Sequence, residues 1–561
     1  MEPTAHGRDA RSPGGGGKAG IWLALRLVLV LTFTAVAGWQ LWPYMSWTPA
    51  DLAAHKCLSD DAFFYSVLAC NYQRFGFLTT DGEMPTNGVQ PLWIGVQLGL
   101  THLFPDSDEV SVLSRASWSA YVIFSFLILC LASRGSYLSG AVRVVLVAGL
   151  VVNNTRFQDL TVTGLEVPLT LAVIAGMLLY LDWAYGSVRP CGPNRREWVR
   201  TIVLGVLVSL CFFGRTDLFW IVPAMAIWVW NRSAGRRRSL LIYASTVTLL
   251  VLPYLACNWV WYGSPMPISG RVKMYNLRAS LPTWDAYWDS AQWHGLFTAF
   301  NAVMPPLSWP VLIAGVLALL VLTQIAVWAP RSRSHLPDSL KYLGVALLAH
   351  VAFMYGFYRS LPPYTAYYFA PEVVLTAVIA AFLIASRWPV GEHVSATGRR
   401  VRHVLGALAA VAVLTCTSAQ WRPKSRPLND YWVPRVALAR RIPKLLPDTE
   451  RIGAFWPGAI AHFSGMPTVP MDGIVGSNDY FQNYVKTGRE IEYLLERGVR
   501  HLVVHCPKAP IILFRTKPVP TSWAREYLVR LWRYRHRLRT VAHEPRGVGR
   551  GWYLFEITGH D

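Results

Sequence analysis

Apolar runs of bilayer length recur along this chain, from Ile21–Trp42 to about Gln420. A run of some twenty apolar residues matches the hydrocarbon core of a membrane, and only helices or closed barrels satisfy the backbone there. The runs lie near 21–43, 109–133, 139–154, 164–185, 200–214, 216–231, 239–261, 306–330, 341–358, 367–387 and 402–420. They predict an all-α multi-pass membrane protein with about eleven transmembrane helices. The first run is followed by no small-residue cleavage site and reads as a retained span.

One more run, "PLWIGVQLGLTHLF" (Pro91 to Phe104), is short for a span and reads as a helix at the membrane interface. Charge tests this. The formal net charge of +21 comes largely from clusters between spans: Arg134 and Arg143; Arg189, Arg195, Arg196 and Arg200; Arg232 and Arg236 to Arg238; Arg331, Arg333 and Lys341; Arg387, Arg399, Arg400 and Arg402. With the N-terminus cytoplasmic and the 91–104 run not crossing, every cluster falls inside, as the positive-inside rule requires. The same charge on a soluble protein would suggest nucleic acid; here loop placement accounts for it. Eleven crossings place loop 44–108 and the C-terminal region outside.

The domain reading follows. Residues 1–20 form a Gly-rich cytoplasmic tail, read as disordered, whose "GGGGKAG" lacks P-loop spacing. Residues 21–420 form the membrane domain, with 44–108 as a first outer loop carrying juxtamembrane helices. Residues 421–561 form a small α/β domain, with "HLVVH" (His501 to His505) as a buried strand and "GREIEYLLERG" as a helix stopped by Gly498. His501 and His505 have the spacing of metal ligands, but flanking a strand is the preferred reading. Trp523 to Arg539 reads as a basic aromatic helix, resting on anionic headgroups or packed on the domain. The eight cysteines form no CxxC; Cys57 and Cys70 share one loop and could pair if it faces an oxidising compartment, but buried free thiols are the preferred reading.

Chemistry concentrates on the outer side. "SDDAFFYSVLACNYQRFGF" opens with Ser59, Asp60 and Asp61 before an apolar-periodic helix. Acids in a first helical turn suit capping and the macrodipole. A carboxylate held there, beside a water-excluding surface, also suits a general base. Ionisable residues at membrane level are expensive and usually functional. By parity, Arg156, Asp159 and Glu166 ("NNTRFQDLTVTGLEVPL"), Arg215 and Asp217 ("GRTD"), Arg271 and Lys273 ("YGSPMPISGRVKM"), and Arg359 with Tyr364, Tyr367 and Tyr368 all share that side. Arginine and lysine converging beside acids suit a phosphate.

The stretch "DDAFFYSVLACNYQRFGFLTTDGEMPTNGVQPLW" resembles the first outer loop of bacterial GT-C glycosyltransferases, and "TGLEVPL", "GRTD", "NWVWYGSPMPISGRVK" and "IGAFWPGAIAHFSG...MDGIVGSNDY" continue the likeness in order. These are integral membrane enzymes using sugars on polyprenyl phosphate, among them oligosaccharyltransferases, protein O-mannosyltransferases, aminoarabinose transferases and arabinofuranosyltransferases. The resemblance implies an inverting transfer, on the outer face of a bacterial plasma membrane, to a glycan, lipid or protein acceptor. It implies Asp60 as catalytic base, Asp61 orienting it, and Glu166 as the second-loop acid. Arg271 and Lys273, helped by Arg215 or Arg359, would hold the donor phosphate. Arg156, Asp159, Asn87 and Tyr367 are further substrate-contact candidates. No cofactor is implied: metal-dependent oligosaccharyltransferases carry paired acids where this chain has Glu166 alone. The partners expected are the lipid-linked donor, the acceptor and membrane lipids. Two rivals share these features, a flippase of lipid-linked saccharides and a non-catalytic scaffold of the same fold.

Overall fold

The computed structural model describes residues 16–134, 137–185, 195–280, 298–300, 338–357, 363–386, 427–506, 531–545 and 551–558. The expected spans at 306–330 and 402–420, and Arg359 and Tyr364's neighbourhood before Pro363, lie outside or at the edge of these residues. Six described helices are long and apolar enough to cross a membrane. They fall within α1 (Gly16–Met45), α5 (Glu109–Ala132), α8 (Val167–Tyr185), α9 (Arg195–Gly214), α11 (Arg236–Tyr262) and α13 (Asp338–Phe357). The first helix begins at Gly16, five residues inside the tail read as disordered.

Two expected spans are not simple rods. The run at 139–154 is α6 (Tyr137–Val147), continued by a π-helical turn over Ala148–Val152 and bent by 56° into α7 (Thr155–Thr161). Asn154 breaks the rod: its side chain accepts from the Arg156 and Phe157 amides and restarts the helix as an N-cap. The run at 216–231 is a 3₁₀ turn (Thr216–Trp220) followed by the 12-residue α10 (Ile221–Arg232). The last described membrane helix, α14 (Ala370–Ser386), follows a second 3₁₀ segment, Pro363–Phe369.

The bundle has two unlike ends. At one, Arg26 donates to the Ser133 carbonyl and Arg143 to that of Ala132, where α5 terminates; Arg134 pairs with Asp182, and Arg232 with Asp338. Cations at helix C-termini satisfy carbonyls left without partners. At the other end lie α2 (Pro49–Ala54), α3 (Asp60–Phe75), α4 (Pro91–Leu103) and α12 (Ile268–Ser280). Helix α4 has 13 residues, roughly 20 Å at 1.5 Å per residue and short of the roughly 30 Å core. Trp93 ties it there by donating to the Gly164 carbonyl. Helix α11 turns Ser239, Tyr243, Val247 and Asn258 inward and leaves Leu249, Leu252, Val260 and Trp261 exposed, the pattern of a helix with lipid as its outer solvent.

The C-terminal region packs on the acidic end. Its five-stranded sheet has the order β2-β1-β3-β5-β4, with β1 Ile452–Ala454, β2 Thr468–Pro470, β3 His501–Cys506, β4 Leu538–Pro545 and β5 Gly551–Ile557. Strands β2, β1 and β3 run parallel; β5 and β4 are antiparallel additions. Helices α15 (Trp432–Leu445) and α16 (Pro457–Ser464) cover it, and α17 (Glu490–Glu496) precedes β3, with Gly498 at φ +69° where the chain turns. His501 bonds Glu450, and His505 packs on Tyr431 and Trp552. The helix read over Trp523–Arg539 does not reach its expected end: Leu538 and Arg539 open β4, paired with Ile557 and Glu556. Neither Cys57 nor Cys70 is in a disulfide; Cys57 is buried, as expected, and Cys70 is exposed.

Candidate active site

Helix α3 starts where its sequence says it should. Ser59 accepts from the Ala62 amide, Asp60 and Asp61 occupy the first turn, and Gly76 closes the helix at φ +79°. Consecutive helical residues point about 100° apart. The two acids therefore serve two different faces.

Asp60 faces the C-terminal domain. Its Oδ1 accepts from Arg435 Nη2 at 2.5 Å and from the Ala459 amide at 2.9 Å. Ala459 lies in the first turn of α16, where amides lack partners inside the helix, so Asp60 caps that helix from another part of the chain. Arg435 also donates to the Trp456 carbonyl, presented by a residue at φ +52° just before Pro457. The fit is close: a Cβ on Gly458 would stand 2.2 Å from the Asp60 carbonyl oxygen. Asp60 Oδ2 is buried with no hydrogen-bond partner among the described residues. Burial pushes the carboxyl up to about 6, although Arg435 and the Ala459 amide favour its charged form. Nearby Asp472 is also buried and pushed up to about 7, by desolvation and by the charges of Asp60 and Asp61.

Asp61 faces a narrow cavity. With it stand Tyr65, Gln90, Glu166, Ser269, Lys273, Tyr367 and Tyr368. Lys273 Nζ donates to Asp61 Oδ2 at 3.3 Å and to the Tyr368 hydroxyl at 3.2 Å. Burial alone would lower the ammonium's pKa; the charge of Asp61 and the two tyrosines hold it well above the usual lysine range. Six parts of the chain meet here. Gly88 threads so close to the 471–476 segment that a Cβ would come within 2.3 Å of the Ile474 carbonyl oxygen. Thr86 donates to the Gly476 carbonyl, Gln90 accepts from the Thr216 amide, and the Tyr65 hydroxyl accepts from the Gln90 amide. The cavity holds about 40 Å³, and a cleft of about 450 Å³ adjoins it, sharing Gln90, Ser269 and Tyr368. Trp259, Met266, Arg271, Met274 and Phe353 help to line that cleft.

The structure separates the expected site residues. Asp61, Glu166, Lys273 and Tyr367 line the cavity; Arg271 lines the cleft and donates to Asn478 at 2.8 Å. Arg215 lies behind both, fully buried, bonded twice to Asp217 and 4.1 Å above the Tyr368 ring. Asn87 accepts from the Ile268 amide, the first of α12, and so holds that helix in place rather than facing the cavity. Arg156 is exposed on α7, and neither it nor Asp159 lines either space. Asp60 is likewise absent from both linings. Arg359 lies outside the described residues. The carboxylates at the cavity do not suit a dication: Asp61 faces Lys273, and Glu166 stands 3.8 Å from Arg215. Among the described residues no three His, Cys, Asp or Glu side chains converge as metal ligands.

Sequence reading missed Arg435, Asp472, His350 and Glu372. Two of these carried a signal. His350 in "LLAHVAF" and Glu372 in "FAPEVVL" are ionisable groups inside apolar runs, and both belong to the charge row behind the cavity. Arg435, in the amphipathic α15, carried none.

No protein-family profile matches the chain, and no curated protein matches it. Solved structures do. The oligosaccharyltransferase AglB from Archaeoglobus fulgidus, in complex with an inhibitory peptide and a dolichol-phosphate, aligns with a TM-score of 0.53 at 12% identity, covering 91% of this chain and 71% of its own. ArnT from Cupriavidus metallidurans, bound to undecaprenyl phosphate, aligns with a TM-score of 0.52 at 12% identity, covering 98% of this chain and 100% of its own. What this chain shares with both, over nearly its whole length, is their fold.

Proposed function

We propose that the protein transfers a sugar from a polyprenyl-phosphate donor to a hydroxyl of an envelope glycan, lipid or protein on the outer face of a bacterial plasma membrane. The observation that carries the reading is the Asp61–Lys273 pair, set in a polar cavity that opens beside an apolar-walled cleft. The dolichol-phosphate on AglB and the undecaprenyl phosphate on ArnT support a lipid phosphate as the donor's leaving group. The basic clusters at the opposite end support the orientation, by the positive-inside rule.

In this scheme Asp61, rather than Asp60, takes the proton of the acceptor hydroxyl. The acceptor oxygen attacks the anomeric carbon from the side opposite the phosphate. The bond from that carbon to the phosphate oxygen breaks, its electron pair leaves with the polyprenyl phosphate, and the configuration inverts. Lys273 is shared between two anions: it holds Asp61 before the donor arrives and meets the phosphate charge as that bond breaks. Arg271, at the cleft, meets the phosphate as it enters, and Arg215 adds positive charge from behind. Charge-assisted contacts of this kind, in a site that excludes water, supply most of the rate where the leaving group is already good. Asp60 holds the C-terminal domain down on this site.

The test is transfer by purified protein in detergent, with a radiolabelled polyprenyl-phosphate sugar and acceptors extracted from the envelope. Release of polyprenyl phosphate with label moving to the acceptor supports the scheme. Movement of intact donor across reconstituted vesicles without its cleavage would favour a flippase instead.

A further inference from the structure

A row of buried charges runs behind the cavity, one of them, Asp217, at the wall of the cleft, and the transfer scheme uses only Arg215. Arg215 donates to Asp217 through Nε at 3.1 Å and Nη2 at 2.7 Å. Asp217 Oδ2 also stands 3.2 Å from His350 Nε2, and His350 Nδ1 stands 2.6 Å from Glu372 Oε1. The row joins four separate pieces of chain: the turn after α9, α13, α14 and, through Glu166, the segment before α8. Arg215 and His350 are wholly inaccessible to solvent.

Each His350 ring nitrogen faces a carboxylate oxygen. With both carboxylates ionised, each oxygen can only accept. An imidazole with one N–H would point a lone pair at one of its two partners. A ring that donates to both is an imidazolium. Asp217 is thus divided between two cations. The row sets Arg215 and His350 against Asp217, Glu372 and, at 3.8 Å from Arg215, Glu166; without the His350 charge, Arg215 would stand alone among these carboxylates.

Arg215 also reaches the cavity's carboxylate. Its Nη1 is buried, makes no hydrogen bond among the described residues, and ion-pairs at 3.8 Å with Glu166, a cavity residue. The guanidinium lies on Tyr368, whose hydroxyl accepts from Lys273. The charge balance at His350 is therefore linked, through three touching groups, to the ammonium beside Asp61.

We infer that His350, held by Glu372, is a positioning residue that keeps Arg215 electropositive toward the phosphate of a lipid-linked donor. The inference rests on the function proposed above. His350 touches no substrate; it acts by taking up part of the Asp217 charge.

The test measures binding of a short-chain polyprenyl phosphate, and of the matching uncharged polyprenol, to purified full-length protein in detergent. His350→Gln keeps a donor toward Asp217 but loses the charge. It should weaken the phosphate lipid by about tenfold or more, the scale of a charge-assisted contact, and leave the polyprenol within about twofold. In turnover the donor KM should rise while kcat stays within about threefold. Glu372→Gln should shift phosphate binding in the same direction by less. His350→Lys, which restores a cation, should recover most of the loss. A purely structural role would move both lipids together and would not be rescued by lysine. If His350→Gln fails to fold, Glu372→Gln and His350→Lys decide the matter by the same selective loss and recovery. A parent protein that prefers the phosphate lipid, with variants that keep that preference, overturns this inference alone. A parent with no preference for the phosphate overturns the proposed function along with it.

Discussion

Asp60 and Asp61 are adjacent, identical in chemistry and in the same helical turn, yet they meet different surroundings. Asp60 is covered by the C-terminal domain, where it meets Arg435 and caps α16. Asp61 looks into the cavity and shares Lys273 with Tyr368. The difference between the two environments comes from one rotation of about 100° along the helix. It teaches that neighbouring acids in such a loop can face unlike surroundings, one packed against the C-terminal domain and the other turned to a cavity.

The sharpest way to break this comparison is to remove the two carboxylate charges one at a time. Asp61→Asn should lower transfer by about a hundredfold or more, the usual contribution of a positioned base, with thermal stability little changed. Asp60→Asn should show the opposite profile. Asparagine still accepts from the Ala459 amide, but the buried Arg435 loses its counter-charge, a change that costs about 3–5 kcal/mol when a buried pair is broken from one side. Thermal unfolding should fall by many degrees, while turnover per folded molecule stays within severalfold. Equal loss of turnover in both variants, at equal stability, would mean that the acids act together.

The two cations sharpen the comparison further. Lys273→Met should raise the donor KM by about ten- to a hundredfold, the worth of a charge-assisted contact, as read in initial-rate kinetics. Arg435→Met should leave that KM alone and loosen the domain contact, seen as faster proteolysis between the membrane helices and β1. A double-mutant cycle of Asp60→Asn with Arg435→Met should recover part of the stability, because the pair is then removed together.

The smallest expected effect is a pH dependence of docking. The carboxyl of Asp472, at about 7, lies above the ordinary carboxylate range because burial penalises its charge. A carboxyl whose pKa is higher in the folded state binds its proton more tightly there. Its stabilising contribution is full below the unfolded value and is lost as pH rises through the folded value. Thermal stability at fixed salt should therefore decline between about pH 4 and about pH 7. Asp472→Asn should flatten that slope. A stability that rises over this window would show that the Ile474 amide outweighs desolvation at Asp472.

Much of this molecule was legible in its sequence, for reasons of solvent and period. Apolar runs of bilayer length announce helices because lipid cannot satisfy a bare backbone. Arginine placement separated the two ends of the bundle, and the short α4 stayed at one of them. Ser59, the two acids and Gly76 mark both ends of α3, because caps act within one turn. Near Glu166, Arg215 and Lys273 the sequence also told which loops would carry charge to one end. None of these signals extends beyond a single segment. Which acid faces the cavity depends on Arg435, which lies 375 residues after Asp60. It depends as well on Gly458, whose missing side chain lets α16 settle onto α3. Asn87 became a fastener for α12, and Arg156 stayed exposed, because side-chain partners come from elements that the chain order keeps far apart. His350 and Glu372 stood out as charges inside apolar runs, but only packing brought them together behind Arg215. Local sequence determines each helix and its caps; which face is covered, and by what, is decided where distant segments compete for the same surface.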